Sequence, residues 1–209
     1  MELAAPRILS ALDRKPTSKR GRTRTLVVAA AIDCIREKGI DAATASEIAQ
    51  RCDLSWGVIQ YHFGDRAGLL LAILEGAFDT LRDSVMNLHF DRADVRTRVE
   101  SLVDSTWSLL RHDDYRVMLE IQLQLARDPD RASLTTERAD EMRRKLQEAW
   151  ISALPECDPR LVKDAERLAT VSLRGLALER AVEPERTLEA SMRHTIVTAL
   201  LSILNRQPK

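Results

Sequence analysis

The sequence has few aromatic residues, few cysteines and no long apolar run. Phe, Trp and Tyr make up 4% of its 209 residues, and its 3 cysteines, Cys34, Cys52 and Cys157, are odd in number and lack CxxC spacing. This usage argues against a disulfide framework and favours reduced thiols in a cytosolic protein. No apolar stretch approaches the roughly 18 residues of a membrane span, and no signal-peptide cleavage site follows the short run 26–32. We therefore expect a cytoplasmic protein.

Signatures of catalysis are also missing from the sequence. The residues three positions before His62, His89, His112 and His194 are Ile59, Met86, Leu109 and Ser191, so no Glu-x-x-His pair for a di-iron bundle is present. We also find no zinc-ligand spacing, nucleophile elbow or phosphate-cradling glycine loop. The sequence predicts a protein that is not an enzyme and that has no cofactor and no metal.

The net charge is zero, but the charge is unevenly distributed along the chain. Residues 1–24 carry a net charge of +5, so the remainder of the chain is acidic. We interpret residues 1–20 as a flexible basic arm. A basic arm on an acidic chain indicates a polyanionic partner, although a solvated disordered tail would have the same composition.

Composition and apolar periodicity predict an all-α chain without strands. Ala, Leu and Arg are abundant, and apolar residues recur at intervals of three and four. Capping signals mark helix starts at Thr44, where Glu47 completes a capping box, and at Ser55, Asp65 and Asp158. The nine predicted helices cover 23–38, 44–52, 55–63, 65–88, 94–111, 114–127, 131–153, 159–182 and 187–205.

Residues 44–63 have the pattern of a helix-turn-helix, because two short helices joined by a tight corner follow a longer helix. The second short helix lies in the stretch SWGVIQYHFGDR, residues 55–66, which holds three of the chain's eight aromatic residues. A helical wheel directs Ile59 and Phe63 toward the domain core. The opposite side consists of Gly57, Val58, Gln60 and Tyr61, which we call the α3 face.

The chemistry of the α3 face suits a DNA major groove. Gln60 can pair bidentately with an adenine edge, and Val58 can contact a thymine methyl. Tyr61 and His62 can donate hydrogen bonds to phosphates. Gly57 costs roughly 1 kcal/mol relative to alanine inside a helix, which close backbone approach to DNA would offset. The alternative is that the aromatics are ordinary core and Gly57 is a loop residue.

Further candidate DNA contacts flank the α3 face. Arg66 follows the Asp65 cap at a helix N-terminus, which is a favourable site for phosphate. The basic segment before the first helix can add phosphate or minor-groove contacts. The full predicted set is Arg20, Arg22, Arg24, Thr44, Ser46, Ser55, Trp56, Gly57, Val58, Gln60, Tyr61, His62 and Arg66.

Residues 23–81 resemble the DNA-binding domain of TetR-type (TetR/AcrR) transcriptional regulators. The family pattern around the recognition helix is Ser-x-Gly-x-Leu-Tyr-x-His-Phe, followed by a short break, Lys and a Leu pair. The residues that match in kind are Ser55, Gly57, Ile59, His62, Phe63, Arg66, Leu69 and Leu70. The family's phosphate-contacting tyrosine falls at Gln60 here, with Tyr61 next to it, so either residue could contact the backbone while the other reads a base.

The resemblance implies a nine-helix TetR-like architecture. Residues 21–81 would form the DNA-binding domain, and 82–209 a regulatory, ligand-binding and dimerisation domain whose last two helices meet those of a second subunit. Apolar residues go nearly all round 168–178 and 195–204, as expected for helices buried on two sides or for one deeply buried helix. The predicted interface residues are Leu173, Leu176, Ile196, Leu200 and Ile203.

The resemblance also implies a small-molecule effector bound inside the helical bundle. Aromatic, flexible or polar residues of the middle helices are the candidates, and each could equally be plain core or surface: Trp107, Tyr115, Met118, Gln122, Trp150 and Arg174. The predicted function is a homodimeric repressor that an effector releases from an inverted-repeat operator. The alternative is a helical adaptor or scaffold that binds proteins, which sequence-specific, salt-sensitive DNA binding would exclude.

Overall fold

The computed structural model describes residues 18–90, 93–127, 132–183 and 189–205, and within them it contains nine α-helices and no strand. The predicted all-α fold is therefore confirmed. Residues 1–17 of the predicted arm lie outside the described residues. The helices are α1 Lys19–Lys38, α2 Ala45–Cys52, α3 Trp56–Phe63, α4 Arg66–Met86, α5 Val95–Leu110, α6 Asp114–Ala126, α7 Ala132–Ala153, α8 Pro159–Val182 and α9 Glu189–Leu204, with a 3₁₀ turn at Ile40–Ala42.

Helix α1 begins about one turn before its predicted start at Thr23. Ser18 is its N-cap, and the Ser18 hydroxyl accepts a hydrogen bond from the Gly21 amide at 3.0 Å. This cap stabilises the first turn and offsets the poor helix propensity of Gly21. As a result, Arg20 and Arg22 lie on a helix and not on an extended arm.

The described residues divide into two compact units. The first, which we call the head unit, contains residues 18–80 and 114–140, and the second, the bundle unit, contains 81–113 and 141–205. The head unit has an apolar core built from α1, α2, α3 and α4, which includes Val27, Ala31, Ile35, Ile48, Ile59, Leu69 and Ile73. The predicted domain division into 21–81 and 82–209 stays a prediction.

An ion-pair cluster fixes α2 against the end of α1. The Glu47 carboxylate accepts from the Lys38 ammonium at 2.8 Å and from Arg51 Nε at 2.9 Å, and Arg51 Nη2 donates to Glu37 at 2.8 Å. The Lys38 hydrogen bond is the main cause that lowers the pKa of Glu47, and the Arg51 hydrogen bond lowers the pKa of Glu37. Both carboxylates therefore favour the charged form that holds the two helices together.

The same cluster explains why only half of the predicted capping box forms. The Thr44 hydroxyl accepts from the Glu47 amide at 3.2 Å, as predicted. The Glu47 side chain does not reach back, since Lys38 and Arg51 bind it. The Thr44 amide donates instead to the carbonyl oxygen of Ala42 at 2.8 Å.

Helix α6 is bonded to the C-terminal end of α1 within the head unit. Arg36 Nη2 donates to Asp114 at 2.7 Å, and Arg116 Nη2 donates to the Arg36 carbonyl at 2.8 Å. The Glu120 carboxylate accepts from the Ile40 amide at 3.0 Å. Hydrogen bonds from charged groups to a half-buried partner are stronger than neutral ones, so these contacts link α6 firmly to α1.

The bundle unit is built from α5, α8, α9 and the second half of α7. Asp158 caps α8 as predicted, because its carboxylate accepts from the Arg160 amide at 2.8 Å while Pro159 occupies the first turn. The buried side of α8 includes Val162, Ala165, Ala169, Leu173 and Leu176. Among the described residues no helix is long and apolar enough to cross a membrane.

Candidate nucleic-acid interface

The corner between α2 and α3 forms through a left-handed residue. Asp53 has φ 53°, and the Leu54 amide donates to the Ala49 carbonyl at 3.0 Å, which closes the end of α2. Ser55 occupies the N-cap position of α3 as predicted, but its side chain makes no capping bond. The exposed Ser55 hydroxyl is therefore open to another partner.

Helix α3 buries one side and exposes the other, as the helical wheel predicts. Ile59 is fully buried, whereas Gly57 and Gln60 are exposed. Val58 is 38% exposed and Tyr61 73% exposed. The α3 face thus presents an amide, a phenol and a small apolar group to solvent, a mixture that can read base edges and contact phosphate.

Two glycines near α3 have different reasons to be glycine. At Gly68, a Cβ would collide with the carbonyl oxygen of Phe63, so this glycine lets the first turn of α4 pass close to the end of α3. At Gly57, a Cβ would meet only the Ser55 hydroxyl, at an ordinary 3.8 Å. Packing within the chain therefore does not require glycine at position 57.

Arg24 and Arg66 hold the chain around α3. Arg24 Nη1 donates to the His62 carbonyl at 2.6 Å, and its guanidinium lies 4.5 Å from the centre of the Phe63 ring. Arg66 Nε donates to the Ala43 carbonyl at 2.7 Å, and its Nη2 donates to the Ile40 carbonyl at 2.6 Å. These guanidinium groups thus satisfy backbone carbonyls at the ends of short elements. Their predicted contacts with phosphate stay predictions.

The other predicted DNA contacts are exposed or half-buried in the head unit. Arg20 is exposed, and its guanidinium lies 5.7 Å from the centre of the Tyr61 ring. Arg22, Thr44 and Ser46 are exposed as well. Trp56 is half-buried, and His62 is half-buried with its Nδ1 atom enclosed and without a hydrogen-bond partner. The head unit therefore exposes cations and hydroxyls, together with the α3 face, that are able to contact DNA.

The predicted dimer-interface residues lie mostly in the core of the subunit, and their role in dimerisation stays a prediction. Leu173, Leu176, Ile196 and Leu200 are buried inside the subunit, and Ile203 is half-buried. A side chain that packs into its own core has little surface left for a partner. The exposed apolar residues of α8 lie on another side and recur at intervals of three, seven and four; they are Leu168, Val171, Leu178 and Val182, which we call the α8 stripe.

The predicted ligand-binding residues divide between the two units. Tyr115 and Met118 are buried in the head unit with the half-buried Gln122, all on α6. Trp107 and Trp150 are buried in the bundle unit, where Arg174 is half-buried. Their role in ligand binding stays a prediction. Sequence reasoning overlooked Glu166, a carboxylate of α8 that is 1% exposed.

The comparisons with known proteins agree with this geometry. Residues 27–73 match the family model described as bacterial regulatory proteins, tetR family. The HTH-type transcriptional regulator BetI of Escherichia coli O17:K52:H18 is 34% identical over 86 residues, which are 40% of this chain and 44% of that protein. The chain thus aligns with less than half of the length of this relative.

Solved structures with the same fold cover most of the chain. A Mesorhizobium loti protein assigned to the TetR family of transcriptional regulators matches with a TM-score of 0.69 and 17% identity, over 90% of this chain and 97% of that one. The multidrug binding protein EbrR, solved with ethidium, matches with a TM-score of 0.62 and 22% identity, over 85% and 98%. Residues 27–73 are thus similar in sequence to the DNA-binding region of the tetR family of bacterial regulatory proteins, and the chain shares its fold with these solved structures.

Proposed function

We propose that this protein is a sequence-specific DNA-binding transcriptional regulator, and that it acts as a repressor. The observation that carries the proposal is the α3 face, which is exposed, low in charge and built around a glycine that packing does not require. A helix of this kind fits a major groove, where a Cβ at position 57 would hold the backbone away from DNA. The likeness to BetI, an HTH-type transcriptional regulator, supports this reading.

Cations near the α3 face supply the sequence-independent part of the binding. Arg20 and Arg22 are exposed on the first turns of α1. Ser55, which directly precedes α3 in the sequence, presents an exposed hydroxyl. Each phosphate contact by a cation releases condensed counterions from DNA, so affinity should fall steeply with salt. Beyond residue 24 the chain is net acidic, so this attraction is confined to the basic N-terminal residues that include Arg20 and Arg22.

A second copy of the chain covers the α8 stripe in the proposed dimer. The stripe is an aliphatic row about four turns long on a helix whose other side is already buried in the subunit. Exposed aliphatic side chains at heptad-like spacing suit pairing between identical helices. A two-fold dimer would present two α3 faces, so the operator should be an inverted repeat.

An effector that releases the operator completes the proposed function. EbrR is described as a multidrug binding protein and was solved with ethidium, which supports a small-molecule ligand for this chain as well. The hydrogen bonds of Arg36, Arg116 and Glu120 connect α6 directly to the end of α1. A change in α6 would therefore act on the helix that carries Arg20 and Arg24. We place this regulator in the cytoplasm, where its operator lies.

Selection of bound DNA from a random pool tests the proposed function. We expect the enriched sequences to share an inverted repeat, and the affinity for it to fall as salt rises. The matched variant is Gln60→Ala, which should relax the preference at one position of each half-site. Weak binding without an enriched sequence would contradict the proposal and favour the adaptor alternative.

A further inference from the structure

The interior of the bundle unit contains polar groups that the DNA-binding function does not use. Glu166 on α8 is 1% exposed, and its Oε2 atom has no hydrogen-bond partner. Trp150 on α7 is fully buried, and its indole Nε1 also lacks a partner. Buried polar groups are almost always paired, so two orphaned groups on neighbouring helices indicate a place prepared for a polar ligand atom.

A side-chain hydrogen bond links the two helices that carry these groups. The Gln147 side chain is hydrogen-bonded to Glu166, which brings α7 and α8 into contact at this level. Trp150 follows Gln147 by three residues, so both lie on the same side of α7. Glu166 is therefore held against the side of α7 that also carries Trp150.

The surroundings of Glu166 favour a ligand that brings a positive charge. The Thr170 hydroxyl donates to Glu166 Oε1 at 2.8 Å, which leaves Oε2 as the open acceptor. A buried carboxylate without a cation is strongly disfavoured, and a protonated nitrogen would supply both the charge and the missing donor. An indole also binds cations over its ring face, and its N–H can donate to an acceptor on the same ligand.

We propose that Glu166 anchors the effector and that the effector is a small organic amine, bound through its protonated nitrogen with an apolar body against Trp150. This inference rests on the proposed function, since it names the class of effector for that regulator. Thr170 and Gln147 are positioning residues, because they orient the carboxylate so that Oε2 faces the ligand.

Other charges around Glu166 shape its response to pH. Burial is the main cause that raises the pKa of Glu166, while Arg167 on α8 and Arg143 on α7 oppose that rise. Helices α5 and α9 also pack on α8, and their Asp104 and Arg193 form an ion pair with each other. Because its pKa is raised, Glu166 loses its negative charge on acidification at a higher pH than an ordinary glutamate does. An amine should then bind more weakly.

Calorimetric titration of the full-length protein without DNA tests the inference. The probes are hexylamine, hexanol and hexanoate, which share an apolar body and differ in the polar group. We expect the amine to bind about tenfold more tightly than the alcohol, in line with a hydrogen bond between charged groups, and the hexanoate to bind most weakly. Equal affinity for amine and alcohol, or no binding of the amine, would overturn the inference.

Two variants separate Glu166 from nonspecific charge effects. Glu166→Gln keeps the shape and should abolish the preference for the amine, whereas Glu148→Gln on the exposed side of α7 should preserve it. An unchanged preference in Glu166→Gln would reject Glu166 as the anchor. If that variant does not fold, the wild-type protein still decides: amine affinity should fall as acidification protonates Glu166, while alcohol affinity stays constant, and a flat amine profile would overturn the inference.

The titration is independent of operator binding, so the two proposals can fail separately. A protein that selects an inverted repeat but does not bind hexylamine would keep the proposed function and lose the amine effector. A protein that binds the amine through Glu166 but has no preferred DNA sequence would keep the amine-binding site and lose the proposed function.

Discussion

The α3 face and the α8 stripe are both uncovered sides of helices whose opposite sides are buried. The α3 face combines an amide, a phenol, a glycine and one small apolar side chain, whereas the α8 stripe is entirely aliphatic. Polar groups can discriminate between base edges by hydrogen bonding, whereas an entirely aliphatic row offers no hydrogen bonds and is stabilised by exclusion of water. The difference supports the proposal that the α3 face contacts DNA and that the α8 stripe contacts another subunit.

The two helices also differ in how their buried sides are held. Helix α3 is short, and Arg24 satisfies its C-terminal His62 carbonyl, so a cation fixes the orientation of the α3 face. Helix α8 is long and packs through Leu173 and Leu176, but it also encloses the unpartnered Glu166 carboxylate oxygen. A cation thus fixes the end of α3 in the head unit, whereas the buried side of α8 in the bundle unit includes an unpartnered carboxylate oxygen.

The largest expected effect is that of a charge in the α8 stripe. Val171→Asp should separate the dimer, and operator affinity should fall about 100-fold or more, because the two half-sites are no longer bound together. Sedimentation and operator titration measure both effects. Leu123→Asp on α6 is the matched control, since Leu123 is 53% exposed and Val171 is 54% exposed. A Val171→Asp dimer that still binds the operator would remove the stripe from the interface.

The next largest effect concerns the polar part of the α3 face. Gln60→Ala should lose about 1–3 kcal/mol of discrimination at one base position if the amide reads an adenine edge. Affinities for operators with single base changes measure this loss. An equal loss for every operator would assign Gln60 to the DNA backbone and leave the reading role to Tyr61.

Arg66 and Arg22 should differ in whether their loss affects protein stability or DNA binding. Arg66→Ala should lower the free energy of unfolding by about 2 kcal/mol, because the carbonyls of Ala43 and Ile40 lose charged donors. Arg22→Ala should leave stability unchanged and instead reduce the salt dependence of operator binding, since Arg22 is exposed. Thermal unfolding and salt titration of both variants test this distinction. The reverse result would make Arg66 a phosphate contact and not a structural residue.

The smallest effect concerns the buried side of α8. Because burial raises the pKa of Glu166 in the folded state, ionisation of this group destabilises the fold as pH rises above the unfolded-state value of about 4.3. Glu166→Gln should therefore raise the melting temperature by a few degrees at neutral pH, and the gain should disappear in acid. Melting curves across pH measure it. A gain that persists unchanged in acid would contradict this reading of Glu166.

The α3 face could be predicted from the sequence because the helical wheel of this short helix separates a buried side from an exposed side. With Ile59 and Phe63 as the apolar residues of one side, the opposite side is determined by the 3.6-residue period. The family pattern around Ser55 and Gly57 indicated which positions of the recognition helix these residues occupy. Nine helices were also predicted, with most ends within two residues, since Asp, Ser and Thr caps and the X-Pro steps mark them.

The α8 stripe could not be predicted in the same way. Where apolar residues go nearly all round a helix, as in 168–178, periodicity does not tell the core side from the exposed side. In the structure the predicted interface residues Leu173 and Leu176 are buried within the subunit, and their role in dimerisation stays a prediction. The roles of Arg24 and Arg66 were also inaccessible, since their partners are backbone carbonyls that only the folded chain brings near.

Operator binding by Gly57→Ala tests most directly whether the α3 face lies against DNA. The chain has room for this methyl group, and alanine is the better helix former by roughly 1 kcal/mol, so thermal stability should stay equal or rise. We expect operator affinity to fall nevertheless, because the methyl group would stand between the α3 backbone and the groove. A stable Gly57→Ala variant that binds its operator as tightly as the original protein would contradict the proposed interface.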